Sequence, residues 1–326
     1  MQATMTFAIP STNASTAVDT LAGETMGTTW CVKLVAPRAS LHALHDGIQA
    51  QLDRVVAQMS TWREDSDLSR FNRAAAGSWI VLPEELFSVL RCALDIAQVS
   101  AGAFDPTVGP LVDLWGFGPD GRRQGIPDAQ ELAAVRDRIG WQRLALRPES
   151  REVLQPGGVQ VDLSAIAKGY AVDLVAAHLR QCGIAHALVE VGGELYGYGC
   201  KPDGTAWRVL VEADPDRVDE APAQVLRLQG QAVATSGVRW HRYRHEDGEY
   251  AHTLDPRTGR PVERAPVAVT VVAGDAMRAD AWATVLTVLG ADAGLAFARE
   301  KSLAARFVVA GMPATATPGF ESHLET

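Results

Sequence analysis

Residues 161–173 read VDLSAIAKGYAVD, and their reading sets the frame for the rest of the chain. Two carboxylates, Asp162 and Asp173, and one lysine, Lys168, are separated by small residues. The pattern predicts a helix start: Ser164 suits an N-cap, and Ile166, Tyr170 and Leu174 then recur four apart. Lys168 and Gly169 fall in an early turn, where backbone N–H groups without intrahelical partners favour an anion. A cation, metal-capable acids and a helix N-terminus within a few residues point to a phosphate site. The plainer reading is an ordinary helix with a solvated lysine, and this segment alone does not separate the two.

Outward from there, the chain predicts a mixture of strands and helices. A strand over 26–36 is entered through Met26, Gly27 and Thr28. Leu41, Leu44, Ile48, Leu52, Val55, Val56 and Met59 share one face of a helix. Pro83 suits the first turn of another, striped by Leu86, Leu90, Leu94 and Ala97 and closed by Gly102. A weaker helix covers 128–138, and the 164–182 helix ends at Gly183. Short strands follow at 185–191, 206–213, 224–235 and 248–254. The apolar run from Val267 to Val272 reads as a buried strand. Asp275 opens a helix to about Leu289, Gly290 breaks it, another helix runs to about 300, and a strand at 305–310 precedes a Pro/Thr-rich tail. Loops at 116–127 and 214–222 read as exposed. Strands and helices do not alternate strictly, which disfavours a doubly wound sheet. The expected fold is α+β, an antiparallel sheet core packed with helices in a single compact unit. The expected layout is a mobile leader over 1–22, one domain over 23–312 and a tail over 313–326.

Composition narrows the function. The 326 residues are 47% hydrophobic, enough for a substantial core. Thirty basic against 39 acidic side chains leave a net charge of −9, which disfavours a nucleic-acid footprint or an anionic membrane surface. A phosphate can still be held locally by a metal, a few cations and backbone dipoles. The four cysteines lack CxxC spacing and read as free, mostly buried thiols, consistent with a reducing compartment. The N-terminus has neither a charged n-region nor a long apolar run. The expected location is therefore cytoplasmic, or periplasmic if a leader has been removed. No transmembrane segment is expected.

Further motifs carry candidate chemistry. In DAMRADAWAT (275–284), Asp280 and Thr284 lie four apart and share a helix face. A carboxylate and a hydroxyl are hard donors suited to Mg²⁺, although helix-dipole service by an aspartate is the simpler alternative. His252 precedes an Asp-Pro-Arg-Thr-Gly turn and is a candidate general base, with Asp255 a weaker one; a well-formed turn is the alternative. Phe104 and Asp105 sit in a loop stiffened by Pro106. Trp62 offers a face for stacking or a cover for the core. Neither GxGxxG opening a helix nor GxxxxGK[ST] occurs, which disfavours Rossmann and P-loop readings.

Read in order, ETMGTTW, MSTWREDSDLSRFN, GAFDPTVGPLVDLWGFG, VDLSAIAKGYAVD, VEVGGELYGYG, ATSG, HTLDPRTGRPV and DAWAT resemble the ApbE-type flavin transferases (FAD:protein FMN transferase). The resemblance runs from about Gly23 to Gly290 and implies an ApbE-like, T-fold-like architecture. It implies a Mg²⁺-dependent enzyme that moves the FMN half of FAD, its substrate, onto a threonine or serine of a target flavoprotein through a phosphoester, releasing AMP. Position by position, it implies FAD contacts at Met26, Trp62, Ala103, Phe104, Asp105, Asp162, Lys168 and Thr253. Ala165 and Ala283 through backbone oxygens, and Asp280 and Thr284 through side chains, would bind Mg²⁺. The chain departs from the common pattern at Trp62, where tyrosine is usual, at Ala165, where some members carry threonine, and at Glu190, where asparagine is frequent. The alternatives are a Mg²⁺-dependent FAD pyrophosphatase giving FMN and AMP, and a non-enzymatic FAD carrier.

Overall fold

A computed structural model describes residues 17–37, 40–119, 125–211, 224–237, 242–245, 248–263 and 265–325. Its centre is an antiparallel sheet of eight strands in the order 19–25, 28–34, 187–191, 194–198, 231–236, 268–273, 304–308 and 315–316. Met26 and Gly27 join the first two strands with positive φ at both positions (50° and 70°), the backbone of a two-residue hairpin turn. The strand before that turn, Asp19–Thr25, lies partly within the stretch expected to be a leader; residues 1–16 lie outside the described residues.

Alternation along the strands gives the sheet two covered faces. Ala187, Val189 and Val191 join a large core with helices α1 (Leu41–Met59), α2 (Asp67–Asn72) and α3 (Glu84–Val99), while Leu188 joins a smaller core on the other face. That smaller core is closed by a hairpin of strands Trp207–Leu210 and Val225–Leu228. The helices that follow are α4 (Gly109–Leu114) and α5 (Ala129–Arg136), which pack on each other in a core of their own, then α6 (Ala167–Gln181), α7 (Ala276–Leu289) and α8 (Ala291–Glu300). α7 packs on α6 and on strands 231–236 and 268–273. The Val267–Val272 run is buried throughout because α7 and α8 cover Val269 and Val271 while Val272 joins the opposite core. Past Met312, the stretch expected as a tail adds a short strand and α9 (Pro318–Glu321), and Phe320 is fully buried.

The remaining differences from the sequence reading are local. The expected 224–235 strand is two strands, Val225–Leu228 and Gln231–Ser236, separated by Gly230 at φ 108°. The expected 248–254 strand is likewise Gly248–Ala251 and Leu254–Asp255. The loop at 214–222 and residues 120–124 of the 116–127 loop lie outside the described residues. All four cysteines are free, as expected, but only Cys92 is buried and Cys182 is exposed.

Candidate functional site

Helix α6 begins at Ala167, two residues later than the Ser164 cap predicted. The Ser164 N–H donates to Asp162 Oδ1 at 2.7 Å, so the aspartate turns the chain into the helix and the serine does not cap it. Asn72, at the end of α2, pins the segment just before this turn. Its side-chain amide donates to the Val161 carbonyl at 2.9 Å and its oxygen accepts the Val161 N–H at 2.8 Å. Lys168 and Gly169 do fall in the first turn, as the spacing requires. The Gly169 N–H, however, goes to Asp280 Oδ2 at 3.1 Å; the protein's own carboxylate takes one of the amides expected to face a phosphate. A β-carbon on Gly169 would lie 2.2 Å from the Ala276 carbonyl oxygen and 2.9 Å from the Asp280 β-carbon. Glycine is what lets α6 and α7 approach this closely. The other aspartate of the motif, Asp173, lies one turn further along the same face of α6 and accepts the Ala276 and Met277 N–H groups at 2.8 and 2.9 Å, capping α7.

These elements form one wall of a cavity of about 600 Å³, a size that suits a nucleotide-sized ligand. Lys168, Glu194, Asp280 and Thr284 share it with Asp162 and Ala165. Phe104, Val108, Val112, Phe117, Val267 and Val288 supply apolar surface, and Trp62, 67% exposed, adds an aromatic face. His252, Thr253, Leu254 and Pro256 line it as well. Their segment is steadied by a separate small core of Leu111, Trp115, Leu132, Val135 and Leu254, and by Trp115 Nε1 donating to the Gly259 carbonyl at 3.0 Å.

The polar wall is electrostatically frustrated. Lys168 Nζ donates to Glu194 Oε1 at 2.6 Å, while Glu194 Oε2 is buried with no hydrogen-bond partner. Burial, and then the negative charge of Asp280, push the Glu194 carboxyl above the usual range, against the pull of Lys168. Burial also raises Asp280, with Lys168 and the Gly169 N–H opposing it. Burial works against the charge on Lys168, but Asp280, Glu194 and Glu190 outweigh it and raise the lysine. Two carboxylates held around one lysine leave room for added positive charge.

The cavity brings together Trp62, Ala103, Phe104, Asp105, Asp162, Ala165, Lys168, His252, Thr253, Asp280 and Thr284 of the residues expected from sequence. Met26, Asp255 and Ala283 are not on its wall. Met26 sits in the positive-φ turn and packs against the main core. Asp255 is clasped by Arg257, whose Nε and Nη2 donate at 2.9 and 2.8 Å, so it orders the turn. The Ala283 carbonyl accepts the Thr287 hydroxyl at 2.9 Å, and its side chain lies in the core between α7, α8 and the sheet. Asp105 is on the wall, yet its oxygens already accept the Thr107 hydroxyl and the Thr107 and Trp141 N–H groups; burial still raises its carboxyl. Sequence reasoning missed Glu194. It follows the glycine pair of VEVGGELYGYG, and only the structure shows why: at Gly192, φ 60°, a β-carbon would press on Thr28 and on Lys168 Cδ at 3.2 Å.

Asp280 and Thr284, one helical turn apart, line the cavity together with Ala165 and the orphaned Glu194 carboxylate oxygen; a carboxylate, a hydroxyl and a backbone carbonyl are hard oxygen donors of the kind that fits a divalent cation such as Mg²⁺. Among the described residues no cluster of three or more His, Cys, Asp and Glu side chains could hold a metal by itself, so such a cation would share its coordination with a ligand.

The ApbE family model matches residues 26–307. The chain belongs to the ApbE family. Relatives of the same family include the FAD:protein FMN transferase of Klebsiella pneumoniae (strain 342), 39% identical over 97% of this chain and 91% of that protein. The FAD:protein FMN transferase of Escherichia coli (strain K12) is 37% identical over 90% of this chain and 85% of its own length. The crystal structure of the apo flavinyl transferase ApbE of Pseudomonas stutzeri superposes with a TM-score of 0.87 at 38% identity, covering 94% of this chain and 96% of that one. The flavin transferase ApbE of Vibrio cholerae gives 0.85 at 35% identity, covering 94% and 100%. The α+β architecture with its antiparallel sheet is thus the ApbE fold. No helix among the described residues is long and apolar enough to cross a membrane.

Proposed function

We propose that this protein is a Mg²⁺-dependent FAD:protein FMN transferase that moves the FMN half of FAD onto a threonine or serine hydroxyl of a target flavoprotein. The observation that carries the reading is the meeting, in one cavity, of Lys168, the Asp280–Thr284 pair, His252 and the exposed Trp62 ring. Full-length likeness to transferases of that name supports it.

Each side chain has a task in this reading. Trp62 offers its face to a flat ring, and Phe104 adds an apolar wall. Lys168 takes the diphosphate oxygens and stabilises the charge that grows on them. Asp280, Thr284 and the Ala165 carbonyl would hold the cation, and the Ala283 carbonyl, which also accepts the Thr287 hydroxyl, would have one lone pair left to join them. When bound, Mg²⁺ neutralises phosphate charge. An oxygen–phosphorus bond forms between the acceptor hydroxyl and the FMN-side phosphorus as the bridging P–O bond breaks. The bridging oxygen leaves with AMP, and the hydroxyl proton passes to His252. Asp255 orders the turn that follows His252, its carboxylate held by Arg257.

The test is AMP release from FAD and Mg²⁺, with and without a nucleotide-free extract of cells lacking the gene as acceptor. Transfer predicts AMP only with the extract, together with a flavin-labelled protein by mass spectrometry. AMP without extract supports a pyrophosphatase, and AMP in neither supports a carrier.

A further inference from the structure

We propose that Glu194 is a positioning residue for Lys168: its buried carboxylate fixes the lysine ammonium on the cavity wall, aimed in advance at the ground the FAD diphosphate will occupy. The inference rests on the function proposed above and adds a residue to it.

Three observations carry it. The first is geometric. Lys168 Nζ lies 2.6 Å from Glu194 Oε1, and the lysine side chain is 33% exposed whereas the glutamate side chain is 3% exposed. Both side chains line the cavity, but the cation is the exposed member of the pair and its anchor is almost wholly buried. The second is mechanical. Glu194 begins the 194–198 strand, with Val191 opposite it in register and the tight Gly192–Gly193 turn between them. A carboxylate mounted on the sheet is a fixed point; a lysine on four methylenes is not. Gly192 adds to this by leaving space against Lys168 Cδ that a side chain would take. The third is energetic. Glu194 Oε2 is buried without a partner, and Asp280 adds a second negative charge nearby. A half-satisfied buried carboxylate costs stability that an apolar side chain of similar size would not. Packing therefore does not account for Glu194, and an anchor for a cation does.

The consequence follows from preorganisation. A lysine already aimed need not reorganise as charge develops on the phosphates, so the benefit falls on the chemical step rather than on FAD binding. The experiment is a double-mutant cycle of Glu194→Gln, Lys168→Met and the pair, followed by AMP release with FAD, Mg²⁺ and acceptor extract. Glu194→Gln should lose about ten- to a hundredfold in kcat with KM for FAD changed less than about threefold. In the Lys168→Met background the second substitution should cost nothing further, because it acts through the lysine. Acetylation of Lys168 by acetic anhydride in nucleotide-free protein, read by peptide mass spectrometry, should run several-fold faster in Glu194→Gln. Losses that multiply in the double variant, an unchanged kcat, or unchanged labelling overturn the inference. Should Glu194→Gln fail to fold, Glu194→Asp, which keeps the charge but shortens the reach, faces the same criteria. If wild-type protein releases no AMP, the functional reading fails, and the labelling arm still judges the anchor.

Discussion

Trp62 carries a large exposed ring at 67%, with little fold to support it. Trp62→Ala should therefore leave the melting temperature within about 2 °C while weakening FAD binding about tenfold, the scale of one aromatic stack. Titration of flavin fluorescence reads the affinity. His252 sits on the wall beside Thr253 and is the proposed base. His252→Ala should slow AMP release by about a hundredfold or more and change FAD affinity less than threefold, and equal losses in both would remove it as the base. At this scale the sequence was legible where spacing alone brings groups together. Asp280 and Thr284 are one helical turn apart, and no tertiary information is needed to pair them. Glu194 was hidden because a glutamate after two glycines looks the same whether it faces water or a lysine 26 positions earlier. Asp255 was legible in both senses, and the clasp with Arg257 decides for the turn.

The element that matters most is the α6–α7 pair. Its contact passes through Gly169, where the closest atom to an added β-carbon is backbone and cannot rotate away. Gly169→Ala should cost about 2–3 kcal/mol in urea unfolding and cost activity out of proportion, because it shifts Asp280 away from the α6 N-terminus. At the far side of the same contact, Asp173 caps α7 from α6. Burial is the main influence and pushes this carboxyl up to about 6 from 3.8, while the two N–H bonds pull it down. A folded-state pKa raised above the unfolded value gives stability that is complete below pH 4 and lost as pH climbs through 6. Between pH 4 and 7, wild type should therefore lose about 2.4 kcal/mol relative to Asp173→Asn, measured by denaturant unfolding of both at each pH. The sequence presented Asp173 as a metal-capable acid. Only the packing of one helix end on another converts it to a cap, and no local pattern announces that.

For the whole molecule, the antiparallel α+β plan was readable because helical stripes and strand runs occur out of alternation. The first strand escaped because Asp19–Thr25 has just one buried residue, Thr25, at its inner end and so lacks a hydrophobic signature. The C-terminal stretch read as a tail because its fully buried apolar anchor, Phe320, is a single aromatic among small and polar residues. The cavity is a product of the complete chain: its walls come from segments between Thr61 and Val288 that meet only when the sheet is assembled. The central claim is that this cavity holds a flavin dinucleotide with its diphosphate beside Lys168 and a cation on Asp280 and Thr284. A crystal soaked in FAD and Mg²⁺ tests it most directly. The account predicts diphosphate density between Asp162 and Asp280 within hydrogen-bond reach of Lys168 Nζ. A cavity without nucleotide there, at FAD concentrations that saturate flavin binding in solution, would contradict it.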